Sequence, residues 1–312
     1  MNSTLAEAAG DTPRTAPAPA VRPPGAALLT LVRREFWEHA SLWRVPLVAA
    51  ALLALCAIPA HVDLDAEDWA RLAPNRVAIF TATQLLCVPL YLIMTVMLSF
   101  YLLDCLYAER RDRSVLFWKS MPVSDALTVL SKFLVAVAVV PLGVFGLAML
   151  SNLLFVGIWE LRVAAGNAPA IISWDTLAWM RTEIALLVCL ILGTLWYAPL
   201  VAALLAVSAW VRRSPVMWVT LAPLLAIILE RIAFGSHHVW SFLQYRTLGI
   251  WRLLGEGDEP IVRGHHLRGL DSLLGSLNFG AALRSPGLWL GLLAAAALLF
   301  VTIRIRRYRD DT

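Results

Sequence analysis

The residues best equipped for chemistry lie in one stretch, Glu109 to Asp125, with the sequence ERRDRSVLFWKSMPVSD. It opens on Glu109, Arg110, Arg111, Asp112, Arg113 and Ser114. It then runs through Val115, Leu116, Phe117 and Trp118, and closes on Lys119, Ser120, Met121 and Pro122. A short helix here would be charged at its start and apolar later, and would stop before Pro122, because a proline disfavours helical backbone in the residue preceding it. Trp118 and Lys119 side by side suit the headgroup layer of a bilayer, which makes the segment readable as an interfacial anchor. Its aromatic pair equally suits a docking helix whose side chains enter a groove on a partner. The residue types alone leave both readings open.

Other chemistry is sparse. The chain has no Walker A sequence, no HExxH zinc helix and no GxSxG nucleophile turn. His237-His238 and His265-His266 are its only histidine clusters, and adjacent histidines diverge on a helix or strand, so they read as loop or interfacial residues rather than ligands. Cys56, Cys87, Cys105 and Cys189 have no metal-binding spacing and read as small apolar residues.

The elements that must position the 109–125 segment are long apolar helices. Of the 312 residues, 60% are hydrophobic and 15% charged, where an ordinary soluble domain carries about 25% charged residues. Stretches free of Asp, Glu, Lys, Arg and His cover residues 45–60, 77–103, 133–159, 184–211, 214–229 and 285–303. A helix crosses the hydrocarbon layer with roughly 20 apolar residues, so four stretches suffice or nearly suffice and the two of 16 residues need their flanks. Strands of a membrane barrel would alternate in polarity over about ten residues, and no such alternation occurs. The fold class is therefore all-α: a polytopic membrane protein with six transmembrane helices.

The net charge of +4 is a topology signal rather than a nucleic-acid footprint. With the N-terminus in the cytoplasm, 16 of the 26 Lys and Arg fall in cytoplasmic segments, and the outer remainder is spread mainly over the long stretch from Glu230 to Arg284. Basic residues in short flanks fix helix orientation, so both termini and the 109–125 loop are expected in the cytoplasm. Residues 1–25, rich in Ala, Pro and Thr, read as a disordered tail. Residues 26–43 read as an amphipathic interfacial helix with Leu29, Val32, Phe36 and Trp43 on its apolar face and Arg33, Arg34 and Glu38 elsewhere, turning into the first crossing at Arg44-Val45-Pro46. Ser124-Asp125 should cap the third crossing, and 212–215 should form a tight turn. Ile232–Trp251 is too polar for a seventh crossing and too apolar for a solvated loop. It is expected to form re-entrant outer helices, as is Leu270–Leu283, with residues 255–264 exposed between them.

Gln84, Ser99, Ser151, Asn152 and Thr194 are the uncharged polar residues of the crossings, suited to helix-to-helix hydrogen bonds. No ionisable residue stands centrally in any apolar stretch, which disfavours an ion-coupled carrier. An intramembrane enzyme is disfavoured by the lack of a nucleophile, acid–base pair or metal set at membrane depth.

The 109–125 loop resembles the coupling region of ABC transporter permeases of the export-associated second type. Their pattern of Glu-Arg/Lys, Gly-Thr or Ser, an apolar stretch, a small residue, a hydrophobic residue, Pro, a Ser-containing turn and Lys is matched by Glu109, Arg110, Ser114, Leu116-Phe117, Ser120, Met121, Pro122-Val123-Ser124 and Lys132. Arg113-Ser114 stands where Gly-Thr is common, and Trp118 is unusual. The order of an amphipathic N-terminal helix, six crossings and a long outer segment before the last is also similar. The resemblance implies a bacterial plasma-membrane permease, dimerising with itself or a sister permease. It further implies that ATP is bound by a separate ATP-binding subunit docked on 109–125, and that this chain carries no cofactor of its own.

The topology has a direct test. After replacement of the four native cysteines, single cysteines at positions 67 and 256 should react with an impermeant reagent in intact cells. Cysteines at 113 and 212 should react only after lysis, and outside labelling of 113 would sink the six-crossing arrangement.

Overall fold

A computed structural model describes residues 24–57, 83–112, 124–166, 175–254 and 277–308, and among them every regular element is a helix. These are α1 (Pro24–Glu38), α2 (Ser41–Ala57), α3 (Val88–Arg111), α4 (Asp125–Ala164), α5 (Thr176–Trp210), α6 (Pro215–Phe234), α7 (His238–Leu254), α8 (Phe279–Arg284) and α9 (Pro286–Tyr308). A helical turn from Thr83 extends α3 to Thr83–Arg111. That unit, α4, α5, α6 and α9 are each long and apolar enough to cross a membrane, and α1 with α2 makes a sixth if the bent pair is one span. By length and composition the chain is a multi-pass membrane protein. The apolar stretches coincide with α2 to α6 and α9, although residues 58–60 and 77–82 lie outside the described part.

Local signals set the helix ends. The Ser124 hydroxyl accepts from the Leu127 amide at 3.3 Å, the cap expected for the third crossing. Asp175 Oδ1 accepts from the Leu177 and Ala178 amides and starts α5. Pro215 and Pro286 stand at helix starts, where a missing N–H leaves no intrahelical bond unmade. Gly235, at φ 66°, ends α6 in the left-handed conformation that glycine adopts without strain. Ser214 has φ 41° in the turn between α5 and α6.

Inside α4, a π-helical turn covers Val135–Val139 just before Pro141. One extra residue in the turn relieves the clash and lost bond that a proline imposes on an α-helix.

The helices alternate in direction. The C-terminal ends of α3, α5 and α9 meet the start of α4 at one pole of the bundle, here the basic pole. The most extensive contact joins α5 and α9, where Ala198, Ala202, Gly291 and Ala295 are buried. Lipid tails compete for apolar contact as well as another helix does, so close backbone approach at small residues is what holds such a pair.

Two expectations are corrected. The bend between the N-terminal helix and the first crossing is 62° and lies at His39-Ala40, not at Arg44–Pro46. Buried Glu35 fixes α1 and buried Leu42 fixes the start of α2, so the chain must turn between them, and Pro46 is carried inside α2. The inward face of α1 is also different: Leu29 is exposed, whereas Leu31 and Glu35 are buried with Val32 and Phe36 packed beside them. Glu35 belongs to that face because its cationic partner lies there. The helix begins at Pro24, two residues inside the expected tail, and residues 1–23 lie outside the described part.

The expected outer segment Ile232–Trp251 divides between the end of α6 and α7, and α7 and α8 pack against α5 and the start of α9. Leu254 and Ile250 of α7 and Ala282 of α8 pack on Leu192 and Trp196 of α5. Residues 255–276 lie outside the described part, including the expected exposed loop. Arg246 and Tyr245 of α7 occupy slots left by glycines of α9: a Cβ on Gly291 would stand 2.1 Å from Arg246 Nη2, and one on Gly287 2.1 Å from Tyr245 Oη. Arg246 cannot retreat without loss, because Nη1 donates to the Gly287 carbonyl at 3.0 Å and Nη2 to the Trp196 carbonyl at 2.6 Å. Its guanidinium also lies 4.7 Å over the Trp196 ring.

Gly291→Ala should therefore lower stability by about 1–3 kcal/mol, the usual cost of overpacking, read as a lower thermal unfolding midpoint in detergent micelles. Gly143→Ala, whose added Cβ meets nothing within 4 Å, should leave the midpoint unchanged or raise it.

Candidate functional site

At the basic pole four helices contribute charged side chains to one buried cluster. Lys132 of α4 is fully buried, and its ammonium has three acceptors: Glu35 Oε1 at 2.8 Å, Glu35 Oε2 at 3.0 Å and Glu109 Oε1 at 3.1 Å. A lysine ammonium has three N–H donors, so all are used. Glu35, 1% exposed, also accepts from the Tyr101 hydroxyl at 2.9 Å, with His39 Nε2 at 3.9 Å. Glu109 Oε2 receives Arg306 Nη1 at 2.5 Å, and Arg306 Nε reaches Asp125 Oδ1 at 3.0 Å. Arg34 bridges Glu38 at 2.7 Å and Glu109 at 3.4 Å.

Beside the cluster, Arg110 donates to the carbonyls of Ser208 and Val211, the latter at 2.9 Å. The Ser208 hydroxyl donates to the Leu103 carbonyl at 2.8 Å and accepts from the amides of Leu106 and Tyr107. One hydroxyl thus ties α5 to three backbone groups of α3.

The arrangement brackets the 109–125 segment. Glu109 and Arg110 lie in the last turn of α3, and Asp125 and Lys132 lie in the first turns of α4. The α3 stem is bonded to α1, α5 and α9, and the α4 stem to α1 and α9. Glu109 and Arg110 are helical and held in the bundle rather than loop residues, because Arg110 and Arg111 suit the negative C-terminal end of α3 and Glu109 has buried cations to meet. The other expected site residues, Arg113, Ser114, Leu116, Phe117, Trp118, Lys119, Ser120, Met121 and Pro122, lie outside the described residues. Glu35, Tyr101 and Arg306 are cluster members that the sequence reading did not single out.

Within this cluster each described carboxylate meets a cation. What the geometry provides is stiffness. A displacement of either stem must carry α1 and α9 with it or break a buried ion pair, and breaking one by removing a partner costs about 3–5 kcal/mol.

A second polar group lies toward the other pole. Gln84 donates to Glu183, which is 6% exposed, and Asn152 links Thr83, at 2.6 Å, to the Trp179 indole, at 3.2 Å. Gln84 and Asn152 thus join helices as expected, whereas Ser99 and Thr194 bond carbonyls of their own helices. Glu183 Oε2 has no hydrogen-bond partner among the described residues. Among the described residues no three His, Cys, Asp or Glu side chains are placed to hold a metal ion.

Comparison of the chain with family models, with curated proteins and with solved structures returns no match.

Lys132→Met should cost about 3–5 kcal/mol by leaving Glu35 and Glu109 buried without their shared cation, seen as loss of folded protein after extraction or a sharply lower unfolding midpoint. The double variant Glu35→Gln with Lys132→Met should recover part of that loss. If the double variant were no better than the single, the ion pair would not be the source of the effect.

Proposed function

We propose that this chain is the membrane-spanning subunit of an ATP-driven exporter, a permease resembling the export-associated second type of ABC transporter. It crosses a bacterial plasma membrane six times with both termini in the cytoplasm. It works as a dimer with itself or a sister permease, and takes its energy from a separate ATP-binding subunit docked on residues 109–125. The observation that carries this reading is the cluster at the stems of that segment. Glu109 and Lys132, which bound the matched family pattern, stand 3.1 Å apart in one buried ion network. Through Glu35 and Arg306 the same network reaches the first and last membrane helices. A docking segment needs such a mounting if a push on it is to move the crossings instead of bending the loop. The chain supplies no nucleotide-binding motif, which fits energy arriving through contact.

One observation favours a second reading, an ion-coupled carrier. Glu183 is a buried carboxylate within a membrane helix with no cation beside it among the described residues, and such residues often belong to ion pathways. It stands at the edge of the apolar stretch rather than its centre, which weighs for the first reading.

Truncating a buried aromatic anchor at an interface costs about 2 kcal/mol or more, roughly 30-fold in affinity. The Phe117→Ala, Trp118→Ala double variant should lose co-purification of a soluble Walker A ATPase, or transport per ATP hydrolysed, while inserting normally. Wild-type values for both would refute the docking assignment. Transport by the lone chain in vesicles, driven by an ion gradient without ATP and abolished by Glu183→Gln, would establish the carrier instead.

A further inference from the structure

Near the basic pole a groove of about 720 Å³ runs between the start of α2, the length of α3 and the start of α6. Its volume is in the range of small-ligand sites, about 300–1,000 Å³. The long wall is apolar: Leu92, Val96 and Phe100 follow one another at four-residue spacing on α3, and each is more than half exposed. Val216 of α6 faces the same space. One end differs. Asp104, the next residue in that stripe, is exposed, and the half-buried His39 lines the groove with it, at the level where the apolar stretch of α3 gives way to polar residues.

Asp104 contrasts with the carboxylates of the cluster on the other face of the same helix. Glu109 is matched by Lys132 and Arg306, whereas Asp104 pairs with no cation among the described residues. Arg111, two turns further along α3, is taken by Asp112 at 3.0 Å. A carboxylate at the membrane boundary, opening into an apolar trough with no ion-pair partner among the described residues, is complementary to an amphiphile with a cationic head. From Leu92 to Asp104 the helix rises about 18 Å, enough for a dodecyl chain to lie along the wall with its head at the carboxylate.

We infer that the groove between α2, α3 and α6 binds amphiphiles with a cationic headgroup, the tail along Leu92, Val96 and Phe100 and the charge at Asp104. Naming this amphiphile as the transported substrate rests on the exporter reading; the binding itself does not. An anionic amphiphile would bring its charge against Asp104, and a neutral one would gain only the apolar wall.

The test uses the full chain without any ATPase, in nanodiscs of zwitterionic phospholipid, with equilibrium binding of radiolabelled dodecyltrimethylammonium corrected for empty nanodiscs. Saturable binding is expected, stronger than for dodecanol or dodecanoate. Asp104→Asn should weaken it roughly tenfold, the order of effect of losing one close charge pair in a partly dry site, and Asp104→Glu should restore most of it. Val96→Trp, which fills the trough, should abolish it.

Equal affinity for dodecanol, or an unchanged affinity in Asp104→Asn, would overturn the inference and leave ordinary bilayer lipid as the occupant. Val96→Trp altering the oligomeric state without affecting binding would assign the groove to a second copy of the chain and overturn it as well. These outcomes do not depend on co-purification of an ATPase, so this inference and the exporter reading can fail separately.

Discussion

An ammonium ion that water cannot reach needs an oxygen for each of its three hydrogens, and Lys132 finds all three on carboxylates from two other helices. That requirement organises the basic pole. Glu35 must sit where α1 can present it, so α1 lies across the bundle and the chain turns sharply before α2. Glu109 must stay helical and inward, so α3 continues past the end of its apolar stretch. Arg306 balances the second oxygen of Glu109 and reaches Asp125, which holds the end of α9 against the beginning of α4. A cluster of this kind is weak evidence for stability, since well-packed apolar residues often do as well. Its strength is directional: it fixes which helices move together.

The opposite pole is held by different physics. Trp196 and Arg246 are large groups that need space, and glycines on α7 and α9 provide it: a Cβ on Gly249 would stand 2.9 Å from the Trp196 ring. The positive charge of Arg246 is met by backbone carbonyls and an aromatic face rather than a carboxylate. The bundle therefore has an ionic pole and a steric pole, joined by the small-residue seam of α5 and α9.

Much of the helical framework was legible because its signals are local. The apolar stretches and the Ser124 cap depend on composition and near neighbours. Five stretches reappear in helices long enough to span a membrane, the first does so only as a bent pair with α1, and 232–251 divides between α6 and α7. The cluster was only half legible. Glu109, Arg110 and Lys132 stood out through a matched pattern, but Glu35 was lost among the charges of a helix whose neighbours Arg33, Arg34 and Glu38 read as a polar face. Its four-residue spacing from Leu31 was the available sign. Arg306 was counted as a topology charge, although it continues the stripe Gly291, Ala295 and Thr302 that α9 buries. A partner 197 residues away leaves no mark in either local window.

The π turn in α4 has a consequence for phase. Thr128, Lys132, Ala136, Val140, Val144, Ala148, Asn152 and Val156 are all buried at four-residue intervals. In a strict α-helix each such step overshoots a full turn by about 40°, so a stripe of this length would wind away from the bundle and into lipid. The wider turn at Val135–Val139 takes back roughly one residue's worth, about 100° of the roughly 280° that the seven steps accumulate. Lys132 at the ionic pole and Asn152 at the other thereby come closer to facing the same side of one helix. The irregularity acts as a timing correction that lets two distant polar groups share a single axis.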